Sequence, residues 1–130
     1  MGCYNVKAPL SLTRLAFPYL RKSGTGRVIN VASLAGKAVY GSSVGYSMTK
    51  FAAVALSHAT RQGGWKYGIR CTAICPGYLA TDLTKNVQSV ELSNMIAADD
   101  LAELVKTVVL LSNTASVAEL VVNCRPDVVA

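Results

Sequence analysis

Residues 27–50 read RVINVASLAGKAVYGSSVGYSMTK. Val28-Ile29-Asn30-Val31-Ala32 is short and β-branched enough for a buried strand. Ser33 stands at its carboxyl end. A loop with Gly36, Gly41 and Gly45 follows, and a helix is predicted from about Ser43, with Tyr46 and Lys50 in its first turns.

Residues four apart share a helix face, so the Tyr46 hydroxyl and the Lys50 ammonium can enter one cleft. At 100° per residue, Tyr46, Lys50, Ala53 and Ser57 form one face. Val44, Met48, Phe51, Ala52, Ala55, Leu56 and Ala59 form an apolar stripe roughly opposite, expected to be the buried side. A free phenol is too weak a base at neutral pH. A cation about 4 Å away at an effective dielectric of about 20 contributes up to ~4 kcal/mol, which makes Lys50 a tuner of Tyr46.

The order strand, serine, tyrosine 13 positions on and lysine four beyond that resembles the short-chain dehydrogenase/reductase family. The resemblance implies that Ser33 polarises a substrate oxygen, that Tyr46 donates or accepts the proton, and that Lys50 binds the nicotinamide ribose. It implies NAD or NADP as cofactor and a small carbonyl or alcohol as substrate. Many members also carry a catalytic asparagine whose backbone carbonyl anchors a water in a relay to the lysine. Asn5, 28 residues before Ser33, fits that position.

Residues 4–22 read as a helix, with Leu12, Leu15, Ala16, Tyr19 and Leu20 at helical spacing. Pro9 lacks the N–H that would bond the Asn5 carbonyl. Two readings stay open: a helix running through Asn5 releases that carbonyl for a water, or Pro9 starts a new segment that Asn5 caps. Ser23-Gly24-Thr25-Gly26 turns the chain into the first strand. The Tyr46 helix is expected to end near Gln62 at Gly63-Gly64, with Trp65 and Tyr67 packed at its end. His58, the lone histidine, has no carboxylate or cysteine partner at helical spacing and reads as structural.

Ile69–Cys75 reads as a second strand, broken by Pro76-Gly77. In open α/β sheets ligands bind beyond the carboxyl ends of strands, so this turn and Ser33 should open onto one crevice. The resemblance extends here: Pro76 and Gly77 would pack beside the nicotinamide, the Leu79 backbone would bond its carboxamide, and Thr81 would contact carboxamide or phosphate. Residues 84–97 are weakly periodic, a lid or substrate loop whose apolar residues either cover a pocket or pack on the surface. A helix over 101–111, led by Asp99 and Asp100 at the favourable dipole end, and a strand over 117–123, closed by Arg125-Pro126, complete the chain.

The 130 residues fit one domain at most, with 52% hydrophobic residues and a net charge of +6. Mean hydropathy is +0.35. No apolar run reaches ~18 residues, so no membrane span is expected. The apolar excess points to strands buried on both faces or to a subunit interface. The charge suits an anionic dinucleotide or a basic solvated surface. Scattered Lys and Arg without a recognition motif argue against nucleic acid. Cys3, Cys71, Cys75 and Cys124 show no zinc spacing and no CxxC, so no metal is expected. With no secretory signal, reduced thiols in a cytoplasmic protein are expected. The Gly2 lipidation pattern fails at Val6.

Helix, strand, helix, strand, helix, strand describes an α/β fold, a partial doubly wound (Rossmann-like) parallel sheet of three strands with flanking helices. The glycine-rich turn that opens such folds is absent, so residues 1–130 read as the C-terminal catalytic half of one NAD(P)-binding domain, with the N-terminal half missing. The family resemblance also implies association through the Asn5 and Tyr46 helices, as a homo-oligomer or with a full-length relative. A catalytically silent interaction fragment is the competing reading.

Overall fold

The computed structural model describes residues 2–39 and 41–124, leaving the Cys3 side chain undescribed. The expected closure at Arg125-Pro126 lies outside the described residues. A π-helical turn, Cys3–Lys7, leads into α1, Ala8–Ser23. β1, Arg27–Val31, is followed by a 3-10 turn, Leu34–Gly36, and by α2, Val44–Gly64. β2, Arg70–Pro76, comes next, then two-residue strands β3, Leu79–Ala80, and β4, Ile96–Ala97. α3, Ala98–Val109, and β5, Glu119–Val122, follow.

β1, β2 and β5 form one parallel sheet in that order. Arg27 pairs with Arg70 and Val31 with Ile74, while Ala73 pairs with Glu119 and Pro76 with Val122. The partial doubly wound sheet expected from the element order is therefore present. β2 is central and buried at every position, as expected of a strand covered on both faces. Not foreseen was the parallel pairing of β3 with β4. It gathers residues 84–97 into a cluster of Val90, Met95 and Cys124, with Ala80, Val87 and Ile96 packed on it. Neither reading of that segment's apolar residues, covering a pocket or packing on the surface, describes Val90 and Met95, which are buried with Val87 and Ile96 packed against them, whereas Leu92 is exposed.

α2 lies on β1 and β2, but with the opposite face to the one expected. Ser47, Ala53, Val54, Ser57, Thr60 and Gly64 are its buried residues, whereas Val44, Met48 and Phe51 are exposed. The reason is distance. A helix can approach a flat sheet closely only where its side chains are small, and a Cβ at Gly64 would sit 2.7 Å from the Ile69 Cβ. Ala53 and Val54 join Ala32, Ala73 and Cys75 in the core. The Ser57 hydroxyl donates to the Ala53 carbonyl at 3.0 Å and accepts from Asn30 Nδ2 at 2.8 Å, so a polar pair is satisfied inside the layer. Ala53 and Ser57 thus belong to the sheet contact and not to a ligand-facing surface.

α2 ends at Gly64, within the Gly63-Gly64 pair expected to stop it. The chain continues through a 3-10 turn, Trp65–Tyr67, and stops at Gly68 with φ +76°. A Cβ there would lie 1.9 Å from the Gly24 carbonyl oxygen, so both conformation and space require glycine. Trp65 and Tyr67 do pack at this end: the Arg70 guanidinium stacks on Trp65 at 3.5 Å, and Phe17 meets Tyr67 edge-on at 6.1 Å. α1 leans on α2 and buries no residue of its own. Leu12, Leu15 and Tyr19 on its apolar stripe are exposed.

Candidate active site

A cavity of about 570 Å³ opens beyond the carboxyl ends of β1 and β2. Ser33, Tyr46, Lys50, Pro76, Gly77, Leu79 and Thr81 all line it. Every residue assigned from the sequence to catalysis or cofactor binding, except Asn5, is thus brought to one concavity. Ala32, Leu34, Ala35, Ser43, Tyr78, Leu83 and Thr84 complete much of the wall.

Ser33 arrives here because β1 ends one residue before Ala32, whose N–H donates to the Ile74 carbonyl at 2.7 Å. Extended backbone at Ser33 lets its hydroxyl cap the 3-10 turn, accepting from the Ala35 N–H at 3.1 Å. The hydroxyl proton is left over for a ligand. Ser47, buried behind the turn, holds the same turn to α2 by donating to the Ala35 carbonyl at 2.5 Å and lying 3.1 Å from that of Ala38. Gly36 presses on the Lys50 backbone, where a Cβ would come within 2.8 Å of the Lys50 carbonyl oxygen. The turn and the first turns of α2 are therefore fitted to each other.

Tyr46 and Lys50 share one helix face, with the ammonium 5.6 Å from the phenol ring centroid. Lys50 Nζ donates to the Val31 carbonyl at 3.3 Å, which ties α2 to the end of β1 and leaves ammonium protons unused. Burial pulls the Lys50 ammonium below its ordinary value, opposed in part by the nearby Cys75 thiol. The Tyr46 hydroxyl makes no hydrogen bond among the described residues, and the side chain is well exposed to the cavity. A free phenol, a half-buried ammonium and a serine hydroxyl around one space can bind and protonate an oxygen.

Beyond β2, Thr84 organises the turn after Pro76-Gly77. Its hydroxyl accepts from the Thr81 N–H at 3.1 Å and donates to the Leu79 carbonyl. Sequence reading assigned Thr84 only to the start of a loop; the Thr81-x-x-Thr84 spacing, which suits a side-chain turn, was the available signal.

Asn5 is not among the residues that line the cavity. It sits inside the π-helical turn, and Lys7, in helical conformation, precedes α1. The reading in which Asn5 caps a new segment is overturned, because helical backbone already runs through it. Its side-chain amide donates to Thr49 Oγ1 at 3.4 Å, and Thr49 in turn donates to the Tyr46 carbonyl at 2.7 Å. A π-helical turn of this kind is a common mark of functional sites.

His58 does have a carboxylate partner: its Nε2 lies 2.6 Å from Glu119 Oε2. The partner comes from β5, 61 positions along the chain, beyond the reach of helical spacing. Cys71 and Cys75 are buried free thiols, and burial pushes the Cys71 thiol up to about 11. Among the described residues no helix is long and apolar enough to cross a membrane, and no group of three His, Cys, Asp or Glu is placed to hold a metal.

Comparison with known proteins agrees with this architecture. The chain is 38% identical to an agropine synthesis reductase of Rhizobium rhizogenes over 95% of its length, which is 29% of that protein. It is 31% identical to the ketoacyl reductase HetN of Nostoc over 94% of its length, or 42% of the relative. Its fold matches a crystal structure of a β-ketoacyl-[ACP] reductase (FabG) from Bacteroides thetaiotaomicron with a TM-score of 0.79, at 26% identity, covering 93% of this chain and 51% of that one. The chain thus spans between about a third and a half of the proteins it resembles. Residues 3–92 match the family model described as short chain dehydrogenase, and the chain belongs to that family.

Proposed function

We propose that this chain carries the catalytic half of an NAD(P)-dependent oxidoreductase that interconverts a carbonyl and a secondary alcohol. The observation that supports it most is the convergence of Ser33, Tyr46 and Lys50, from two separate elements, on one cavity with Pro76, Gly77, Leu79 and Thr81. The volume, about 570 Å³, is in the range of cofactor and substrate clefts. A mostly apolar wall and unused ammonium protons on Lys50 fit a nicotinamide ribose.

When bound, the nicotinamide supplies or accepts the hydride. The residues of this chain do the rest. Ser33 donates its hydroxyl proton to the substrate oxygen, drawing charge from the carbonyl carbon. Tyr46 hands its phenolic proton to that oxygen in reduction and takes it back in oxidation. Lys50 holds the ribose hydroxyls and stabilises the phenolate left behind. Asn5 anchors a water that returns the proton from bulk solvent to Lys50. Pro76, Gly77, Leu79 and Thr81 hold the carboxamide side of the ring.

Titrating NADH and NADPH against the protein, with nicotinamide fluorescence as the readout, tests the binding half of this reading. Saturable enhancement that Lys50→Met weakens supports it; no saturable binding of either form by the full protein refutes it.

A second reading, an interaction partner without turnover, draws on a different observation. Leu12, Leu15 and Tyr19 on α1 and Met48 on α2 are 66–77% exposed, more apolar surface than an isolated subunit usually leaves in water. Sedimentation of the chain alone and mixed with a full-length family member separates the two: association without nicotinamide binding favours the partner role.

A further inference from the structure

Glu119 reaches two elements at once. Its Oε1 lies 2.5 Å from Lys37 Nζ and its Oε2 lies 2.6 Å from His58 Nε2. Lys37 directly follows the 3-10 turn that Ser33 caps. His58 belongs to α2, the helix of Tyr46 and Lys50. The other histidine nitrogen, Nδ1, faces Arg61 Nη2 at 3.3 Å. Since a guanidinium only donates, Nδ1 accepts there and Nε2 carries the proton offered to Glu119. The carboxylate therefore takes one donor on each oxygen.

We propose that Glu119 is a positioning residue: a carboxylate on β5 that braces the Ser33 turn, through Lys37, against the Tyr46 helix, through His58. None of the three side chains lines the cavity, so the brace acts on geometry and not on substrate. The electrostatics agree from both sides. The Glu119 contact holds the Lys37 ammonium above its ordinary value, and the Lys37 contact holds the Glu119 carboxyl below its own. Lys37, His58 and Glu119 are each only partly exposed, at 31%, 32% and 21% of the side chain, so solvent competes with the brace without dissolving it. Ser47 and Gly36 fix the turn to the first turns of α2, and β2 lies against it as well; among the described residues, Lys37 supplies its ion pair to β5, the sheet's far strand.

The inference rests on the proposed oxidoreductase for its kinetic readout, and a second readout stands apart from it. In the full protein, Glu119→Gln and Lys37→Met should each lower kcat about 10- to 100-fold, the effect of a small misplacement of reacting groups. The KM for the nicotinamide cofactor should stay within about twofold, and Lys37→Arg should retain most of the rate. A Glu119→Gln protein with wild-type kcat, or one losing kcat only in proportion to its folded fraction, overturns the brace. Amide resonances of the labelled chain provide the independent check. Glu119→Gln should displace those of residues 33–36 and of 46–50 together, and displacement confined to residues adjoining 37, 58 and 119 overturns it. If the wild-type protein turns over no carbonyl or alcohol, the oxidoreductase reading fails while the resonances still decide the brace.

Discussion

At its amino end β2 begins with Arg70, a buried guanidinium each of whose three nitrogens donates to a carbonyl; at its carboxyl end it runs out at Pro76, on the cavity that also holds the Tyr46 hydroxyl, which makes no hydrogen bond among the described residues. Arg70 donates from Nε and Nη2 to the Asn113 carbonyl at 2.9 and 2.6 Å, and from Nη1 to those of Trp65 and Ile69 at 3.0 Å each. Arg27 on β1 adds bonds to Leu111, Gly68 and the Asn113 side chain, which itself donates to the Gly24 carbonyl. Three connections, α1 to β1, α2 to β2 and α3 to β5, are gathered there, and these carbonyls are satisfied. At the other end Ser33, Tyr46 and Lys50 keep protons unspent. The same three strands are thus finished for stability at one end and left unfinished at the other, as an open α/β sheet requires if it is to bind a ligand.

Two substitutions should pull the ends apart most sharply. Tyr46→Phe removes a hydroxyl that makes no hydrogen bond among the described residues, so stability should move by no more than about 0.5 kcal/mol. Turnover should fall by about 100- to 10,000-fold, the usual worth of a positioned acid–base group. Steady-state rates and a urea melt on one preparation measure both, and near-normal turnover ends the assignment. Arg70→Met should do the reverse. It strands carbonyls in a buried position and should cost about 3–5 kcal/mol of folding free energy. Whatever protein remains folded should keep its rate per folded molecule, and a selective rate loss would mean the two ends are not separable.

The sequence made the carboxyl end easy to read and the amino end hard. Ser33, Tyr46, Lys50 and the Pro76-Gly77 turn each follow a strand or open a helix at short range, so local spacing brings them to one crevice. Arg27, Arg70 and Asn113 act over separations of 43 and 86 residues, and nothing local marks an arginine in a strand as a carbonyl clamp. The same limit hid the carboxylate facing His58. The face of α2 was misread for another reason. Periodicity identifies the apolar stripe of Val44, Met48 and Phe51, but the sheet accepts the face with the smallest side chains. The large residues are left on the outside, beside the exposed stripe of α1.

Close approach gives a third, smaller test, because glycine serves it at both ends. Ala at Gly64 would gain roughly 1 kcal/mol of helix propensity. Its Cβ would meet the Ile69 Cβ at 2.7 Å, and overpacking of this kind costs about 1–3 kcal/mol. Gly64→Ala should therefore lower stability by up to about 2 kcal/mol in a thermal melt without changing the rate. Gly36→Ala meets a backbone oxygen, that of Lys50, at 2.8 Å. It should cost a similar amount and also slow turnover, since relief of the clash displaces Lys50 or Ser33. Equal kinetic effects from the two alanines would erase the distinction between the ends.

The smallest effect concerns the thiol near the amino end. Burial raises Cys71 from 9.0 to about 11, with the Ser57 hydrogen bond and the charge of Arg61 opposing. The protonated thiol is the neutral form, so the folded state holds its proton where the unfolded chain has lost it. The contribution of this group to stability is intact below about 9, declines as pH rises above it, and is spent by about 11. By pH 10 the decline should be on the order of 1 kcal/mol, as one unit of titration implies. Denaturant melts at pH 8 and 10 on the wild type and on Cys71→Ala measure it: the variant starts lower because a buried sulfur is lost, but its decline with pH should be shallower. Cys75 at the carboxyl end is also raised by burial, but the Lys37 and Lys50 charges pull the other way, so Cys75→Ala should flatten the curve less. If both variants keep the wild-type slope, the alkaline decline belongs to other groups and the thiols do not report the difference between the two ends.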